Sequence, residues 1–107
     1  MTAESKFYCN IKALNPAERA AHKQLTDKLI AACNKIVETE TGYEFQFRPS
    51  DVTIAELASF VAAEGKCCPF FDFHIEQEHE SRLLRLQLTG EEGIKAFIRL
   101  EFAVPAR

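Results

Sequence analysis

Strict alternation of apolar and polar residues in four short segments is the feature that most constrains this fold. The segments are residues 6–12, 43–48, 71–76 and 84–88. Successive side chains of a β-strand point to opposite faces, so this pattern predicts strands that are buried on one side only. The positions expected to face the core are Phe7, Cys9, Phe45, Phe47, Phe71, Phe73, Leu84 and Leu86. A sheet with one apolar and one polar face is typical of antiparallel strands.

Three capping boxes predict where helices begin. Asn15-Pro16-Ala17-Glu18, Thr53-Ile54-Ala55-Glu56 and Thr89-Gly90-Glu91-Glu92 each place a glutamate three residues after an Asn or Thr. In such a box the two side chains satisfy free backbone amides of the first helical turn. We expect the first helix to fade near Glu38 and the second to stop at Gly65, because glycine commonly follows the last helical residue.

These elements predict an α+β fold with the order β-α-β-α-β-β-α. The expected architecture is a four-stranded, mostly antiparallel sheet with three helices on one face. The chain has 107 residues, which fits one domain spanning residues 1–107. This length is sufficient for a hydrophobic core without disulfide or metal staples.

Composition and charge exclude several classes of partner. The net charge is −3 and the basic residues form no block, which argues against binding to nucleic acid. An acidic chain is also a poor match for anionic membranes. Residues 1–6 lack the apolar segment of a signal peptide, so we expect the protein in the cytoplasm. Disulfides are rare there, and the four cysteines are expected to be thiols, core residues or ligands.

A cysteine-centred group is the strongest candidate for a functional site. Glu64 and Cys67 are three residues apart and share a face if the helix continues that far. Cys68 is adjacent, and Cys9 is expected on the core face of the first strand. Thiolates are donors for thiophilic metals. The sequence therefore predicts a metal site at Cys9, Cys67, Cys68 and Glu64, holding zinc, copper(I) or mercury(II).

Two other interpretations of the same residues stay open. In the first, Cys67 or Cys68 is the nucleophile of a thiol enzyme or redox sensor, although a neighbouring carboxylate raises the pKa of a thiol and opposes this role. In the second, the cysteines are structural, because free cysteine is among the most buried residue types. The chain would then be an interaction domain, and its polar sheet face would carry a homodimer contact. Cys33 is expected to be core filler.

The three histidines are not expected to contribute to the site. His22 is assigned to the edge of the first helix, His74 to the polar face of the sheet and His79 to a turn. Because none is at ligand spacing from another, a histidine-rich zinc site is not predicted.

Four segments resemble a family of small bacterial proteins that share a Glu-x-x-Cys-Cys-Pro-Phe sequence. The segments are Ala13–Arg19, Gly42–Phe45, Glu64–Phe70 and Leu86–Phe97. The resemblance extends over most of the chain. It implies a free-standing domain and points to the Glu-Cys-Cys segment. The family has no established activity, so the resemblance implies no mechanism.

Overall fold

The computed structural model describes residues 10–102 and residue 104. The elements, in chain order, are a short 3-10 helix Ile11–Ala13, α1 Pro16–Ala32, β1 Lys35–Glu38, β2 Gly42–Phe47, α2 Ile54–Cys67, β3 Asp72–Gln77, β4 Leu84–Thr89 and α3 Ile94–Glu101. The α+β class, with three helices and a four-stranded antiparallel sheet, is confirmed. None of the helices in this described part is long and apolar enough to cross a membrane.

Helices α1 and α2 begin at the residues that the capping boxes predict. The Asn15 side chain accepts a hydrogen bond from the Glu18 amide at 2.8 Å, and Glu18 accepts one from the Asn15 amide at 2.9 Å. Thr53 and Glu56 make the same reciprocal pair, at 3.1 and 3.0 Å. These bonds satisfy amides that have no partner within the helix. They fix the first turn of each helix and so which residues face the other helix.

Helix α3 does not begin at the predicted capping box. Its N-cap is Gly93, in a left-handed conformation with φ of 96°, and no side chain caps the helix. Thr89 is still part of β4, where it pairs with Gly42 and Asp72. A residue held in the sheet cannot cap a helix that starts five residues later, so this prediction was wrong.

The predicted end of the first helix, near Glu38, was also wrong. Helix α1 stops at Ala32, and residues 35–38 form β1, in which Ile36 pairs with Phe45 of β2. Ile36 is seven residues after Leu29, so it matches the helical stripe as well as it matches a strand. Ile36 and Val37 are β-branched, and β2 offers them a partner edge, which favours the strand.

The strand predicted at residues 6–12 belongs to a part of the chain that is mostly outside the described residues. Positions 6–9, including Phe7 and Cys9, are not described. The described end of that segment enters the 3-10 helix Ile11–Ala13 and does not extend as a strand. The sheet obtains its fourth strand from β1 instead.

The sheet has the strand order β1-β2-β4-β3, and every neighbouring pair is antiparallel. Its apolar face is built from cross-strand rows, one of which aligns Phe45, Leu86 and Ile75. Of the predicted core positions, the buried ones are Phe45, Phe47, Phe71, Leu84 and Leu86, while Phe73 is half-buried. The alternation therefore assigned the faces of β2 and β4 correctly.

The opposite face of the sheet is polar. Glu44 accepts hydrogen bonds from Gln46 at 2.7 Å and from Gln87 at 3.0 Å, and it lies 3.4 Å from the Arg85 guanidinium. His74 is exposed on this face, as its position in the alternation predicts. The candidate ligands Glu64, Cys67 and Cys68 do not belong to this face, because they lie in α2 and at its C-terminal end.

Helix α2 continues through Gly65 and ends at Cys67, so the predicted stop at Gly65 was wrong. The Cys68 amide still donates to the Glu64 carbonyl at 2.7 Å, which is the helical i to i−4 pattern. Among residues 10–102, a Cβ on Gly65 would meet the Phe73 ring at 3.7 Å, which is an ordinary van der Waals contact, so this part of the chain does not require glycine here. The longer helix places Glu64 and Cys67 one turn apart on the same face.

Candidate metal centre

Three potential metal ligands meet where α1 packs on α2. His22 comes from α1, and Glu64 and Cys67 come from α2. The His22 Nε2 and Glu64 Oε1 atoms are 2.7 Å apart. Each of the three residues offers one ligand atom, and these atoms all lie within 4.8 Å of one another. The group thus combines nitrogen, oxygen and sulfur donors from two helices.

His22 is held inside the helix pair and not at the helix edge. It precedes Leu25 by three residues and Leu29 by seven, which places it on the apolar stripe of α1. Its ring stacks on Phe60 with centroids 5.3 Å apart, and its side chain is 12% exposed. The prediction that His22 lies at the helix edge and does not contribute to the site was wrong. The same spacing that marks the stripe could have placed His22 against α2.

Glu64 is a buried carboxylate with one unsatisfied oxygen. The residue is 4% exposed, and it follows Leu57 and Val61 on the apolar face of α2. Its Oε1 contacts His22, but its Oε2 is buried and has no hydrogen-bond partner among the described residues. His22 Nδ1 is in the same situation. Unsatisfied buried polar atoms are costly, and a bound cation would satisfy the free oxygen of Glu64.

Cys67 contributes a thiol at the C-terminal end of α2. Its side chain is buried, and its Sγ donates to the Ala63 carbonyl at 3.2 Å. Burial, followed by the Glu64 carboxylate, raises the pKa of the Cys67 thiol. Both effects disfavour a bare thiolate, and a cation between the two side chains would offset both.

The other two predicted ligands are Cys68 and Cys9. Cys68 is fully buried and disulfide-bonded, so its sulfur is not a free thiolate. Cys9 lies outside the described residues. The Asn10 amide donates to the Cys67 carbonyl at 2.7 Å, so the chain at Asn10 runs against the end of α2. The structure brings together Glu64 and Cys67 of the predicted set, and it adds His22.

Cys33 is free and half-buried at the other end of α1. Its thiol donates to the Lys35 carbonyl at 3.3 Å, and it lines a small apolar cavity together with Phe45 and Leu88. These surroundings fit the expectation that Cys33 fills the core. They also make it a suitable control for the thiol of Cys67.

The electrostatic surroundings of the group are negative. Partial desolvation and the Glu64 carboxylate raise the pKa of Glu101, the last residue of α3. Glu101 also contributes to the raised pKa of Cys67. The Glu64 carboxylate thus disfavours the ionised forms of both the Cys67 thiol and the Glu101 carboxyl, and this concentration of acidic groups creates a local preference for a positive ion.

The donor set matches the preferences of zinc. Zinc binds histidine nitrogen and carboxylate oxygen at about 2.0–2.2 Å and cysteine sulfur at about 2.3 Å, usually with four ligands in a tetrahedron. Ligand atoms that already lie within 4.8 Å of one another can reach these distances through side-chain rotations. Three protein ligands leave the fourth position for water or another small molecule.

No family model, curated protein or solved structure matches this chain. The resemblance to small bacterial proteins that was drawn from the sequence therefore stays an expectation. The close approach of the ligand atoms of His22, Glu64 and Cys67 is the structural feature that points to a function.

Proposed function

We propose that this protein binds one divalent cation of the zinc class per chain, through His22, Glu64 and Cys67. The observation that carries the proposal is the buried Glu64 carboxylate, whose Oε2 atom lacks a hydrogen-bond partner among the described residues. Buried carboxylates are paired, protonated or bound to a metal. At Glu64 the two nearest candidate groups, His22 and Cys67, are themselves metal ligands in type and position.

Zinc fits the three donors better than copper(I) or mercury(II). Copper(I) and mercury(II) are softer ions that favour sets rich in sulfur. The group holds one sulfur, one imidazole nitrogen and one carboxylate oxygen. Zinc is of borderline softness and accepts all three ligand types in one site.

A metal at this position would join α1 to α2. His22 is on one helix, while Glu64 and Cys67 are on the other, so the bound ion would crosslink two helices through residues such as His22 and Glu64, which are 42 positions apart in sequence. Binding energy of this kind adds to the stability of the fold. The role that follows is metal binding or sensing, in which occupancy is reported by the packing of the helix pair.

A thiol enzyme is the second candidate, because Cys67, His22 and Glu64 are also the residue types of a cysteine nucleophile with its base and orienting acid. The details favour the metal. Cys67 is buried, and its thiol donates a hydrogen bond to the Ala63 carbonyl. Reactive cysteines are partly exposed and lie in electropositive surroundings, whereas the neighbours of Cys67 include two carboxylates.

The direct experiment is zinc titration of chelator-free protein in which the disulfide of Cys68 is intact, with bound metal measured by elemental analysis. We expect one zinc per chain for the wild type. Glu64→Gln and Cys67→Ser should each lower the affinity for zinc by at least about tenfold, because each removes an anionic ligand. Cys33→Ser and His74→Ala are the matched controls, since both residues lie away from the group, and both should bind as the wild type does.

Circular dichroism of each variant separates loss of the site from loss of the fold. The proposal predicts native spectra together with weakened zinc binding for Glu64→Gln and Cys67→Ser. Equal zinc affinity in the wild type and in both folded variants would show that the group is not a metal site.

A further inference from the structure

A cleft of about 310 Å³ lies between α1 and α2. It is lined by Leu14, Glu18, Ala21, His22, Leu25, Ser59, Ala62, Ala63 and Lys66. Glu64 and Cys67 are not part of this lining, so the cleft is a feature separate from the metal-ligand group and shares only His22 with it. A volume of about 310 Å³ is at the lower end of the range for small-molecule sites.

The two helices run in opposite directions along this cleft. Lys28 of α1 forms an ion pair with Glu56 of α2, whereas His22, which is earlier in α1, contacts Glu64, which is later in α2. In an antiparallel helix pair, positions that are equally far from one contact lie opposite each other, because both helices rise by the same distance per residue. The Lys28–Glu56 ion pair therefore marks one end of the helix contact.

Glu18 and Lys66 occupy matched positions at the other end. Glu18 is ten residues before Lys28, and Lys66 is ten residues after Glu56, which places both about 15 Å from that ion pair. Both side chains line the cleft. They repeat the combination of one lysine and one glutamate, but no ion pair joins them, and neither forms one with another residue in the described part of the chain. One end of the cleft is thus closed by a charge pair and the other end is open.

The open end presents two opposite charges with space between them. The Glu18 carboxylate is held in place, because its Oε1 atom accepts the Asn15 amide at 2.9 Å in the capping box. Packed helices have axes about 8–10 Å apart, so a small molecule fits between side chains on their facing edges. Below these charges the lining is mostly apolar, with Leu14 and Leu25 beside three alanines.

We propose that this cleft binds a free α-amino acid with an apolar side chain. Such a molecule carries an ammonium group and a carboxylate on one carbon, so it pairs with Glu18 and Lys66 together. Its side chain runs along the cleft toward Leu25, in the space that the small residues leave. Binding of this kind needs no metal, because Glu64 and Cys67 are outside the cleft.

Three related probes separate the contributions of the two charges. L-leucine has both charges, 4-methylpentanoate lacks the ammonium group and 3-methylbutylamine lacks the carboxylate, while all three share the same branched hydrocarbon. They are titrated into zinc-free protein, and the shifts of the backbone amide NMR signals of Ala62 and Ala63 measure each Kd. We expect leucine to bind more tightly than either analogue by up to about fivefold, the range of an exposed ion pair.

Two variants remove the charges of the cleft in turn. Lys66→Met should abolish the advantage of leucine over 3-methylbutylamine and keep its advantage over 4-methylpentanoate. Glu18→Gln should do the opposite, and the side-chain amide oxygen can still accept the Asn15 amide, so the capping box is preserved. A change in stability alone would affect all three probes alike and would not produce this crossed pattern.

A third variant, Ala62→Leu, fills the middle of the cleft. It should weaken leucine binding by about tenfold or more, because the added side chain occupies the space of the leucine hydrocarbon. Ala58→Leu makes the same change at an exposed position of α2 outside the lining, and it should bind leucine as the wild type does. Circular dichroism checks that both variants fold. If Ala62→Leu does not, the exposed substitutions Lys66→Met and Glu18→Gln decide the test.

Three results would overturn the proposal: no saturable shift with leucine, equal affinity for leucine and both analogues, or equal leucine affinity in folded Ala62→Leu and the wild type. Because the titrations use zinc-free protein and variants outside the metal-ligand group, each of these results leaves the metal site standing. Loss of the metal site would in turn leave leucine binding unchanged.

Discussion

At the scale of single residues, Glu64 is the position that distinguishes this molecule from an ordinary helix pair. It is a carboxylate on an apolar helix face, it is 4% exposed, and one of its oxygens has no partner among the described residues. His22 and Cys67 are the residues beside it, and each is a metal ligand in other proteins. A buried anion of this kind is stabilised by a cation far more effectively than by hydrocarbon neighbours.

Cys33 offers a prediction that does not depend on the metal. Burial raises the pKa of its thiol, against smaller opposing effects of backbone contacts with Gln46 and Lys35. The thiolate is the reactive form, so alkylation of Cys33 by iodoacetamide should be slower at neutral pH than alkylation of an unfolded cysteine. Because the pKa is raised, the rate should still be increasing at a pH where the unfolded thiol has reached its plateau.

Peptide mass spectrometry after timed labelling measures this rate at Cys33 separately from the other cysteines. The urea-unfolded protein is the reference. A Cys33 rate equal to that of the unfolded chain across the pH range would mean that the thiol is solvated and not part of the core.

The site could be predicted from the sequence only in part, and Glu64, Cys67 and His22 show why. Glu64 and Cys67 lie in one helix, so their separation of three residues was sufficient to bring them together. His22 is on another helix, and its contribution depends on how α1 packs on α2, which one-dimensional periodicity does not give. Its position on the apolar stripe of α1 was the available evidence.

At the scale of elements, Gly65 led to the prediction of a helix end at a position where α2 continues. Gly65 has a helical neighbour on each side and lies inside the range Ile54–Cys67. Gly42 in β2 is different. A Cβ added there would lie 1.9 Å from the Leu88 carbonyl oxygen and 2.8 Å from the Thr89 Cα atom. One glycine is required by close backbone approach, and the other is not.

Alanine substitutions at these two glycines should therefore have opposite effects on stability. Gly42→Ala forces backbone atoms of β2 and β4 apart and should lower the free energy of unfolding by about 1–3 kcal/mol, the range for overpacking in a packed interior. Gly65→Ala should raise the free energy of unfolding by up to about 1 kcal/mol, because alanine is the better helix former and the site has room for its Cβ. Urea unfolding followed by circular dichroism measures both changes. A stabilising Gly42→Ala would contradict the close pairing of β2 with β4.

The extent to which the fold followed from the sequence also differs between elements. The alternation assigned the core faces of β2 and β4, and the capping boxes located the starts of α1 and α2. The strand β1 was missed because Ile36 fits a helical spacing and a strand spacing equally well. Its strand conformation is decided by pairing with β2, which is a tertiary contact.

At the scale of the whole molecule, the helices form a second layer, which packs on one face of the sheet. The sheet has an apolar face that the helices cover and a polar face with the network of Glu44, Gln46, Gln87 and Arg85. A homodimer contact on that polar face stays a prediction. Within the helical layer, α1 meets α2 at His22 and Glu64, so a bound cation would hold the two helices together at that point.

Zinc should therefore raise the stability of the whole fold. A ligand that binds only the folded state at a free concentration of 100 times its Kd adds about 2.7 kcal/mol to the free energy of unfolding. We expect the unfolding temperature of the wild type to rise with zinc concentration, and that of Glu64→Gln to respond weakly. Differential scanning calorimetry with magnesium as the control ion measures this. Equal shifts with zinc and magnesium would indicate a non-specific effect of divalent charge.

X-ray absorption at the zinc edge of protein loaded with one zinc per chain would show directly whether His22, Glu64 and Cys67 hold one metal ion. We expect a four-coordinate ion with a single sulfur neighbour at about 2.3 Å and the remaining nitrogen and oxygen neighbours at about 2.0–2.2 Å, including the outer-shell pattern of one imidazole. A spectrum with no sulfur neighbour, or with two or more sulfurs and no imidazole, would contradict it.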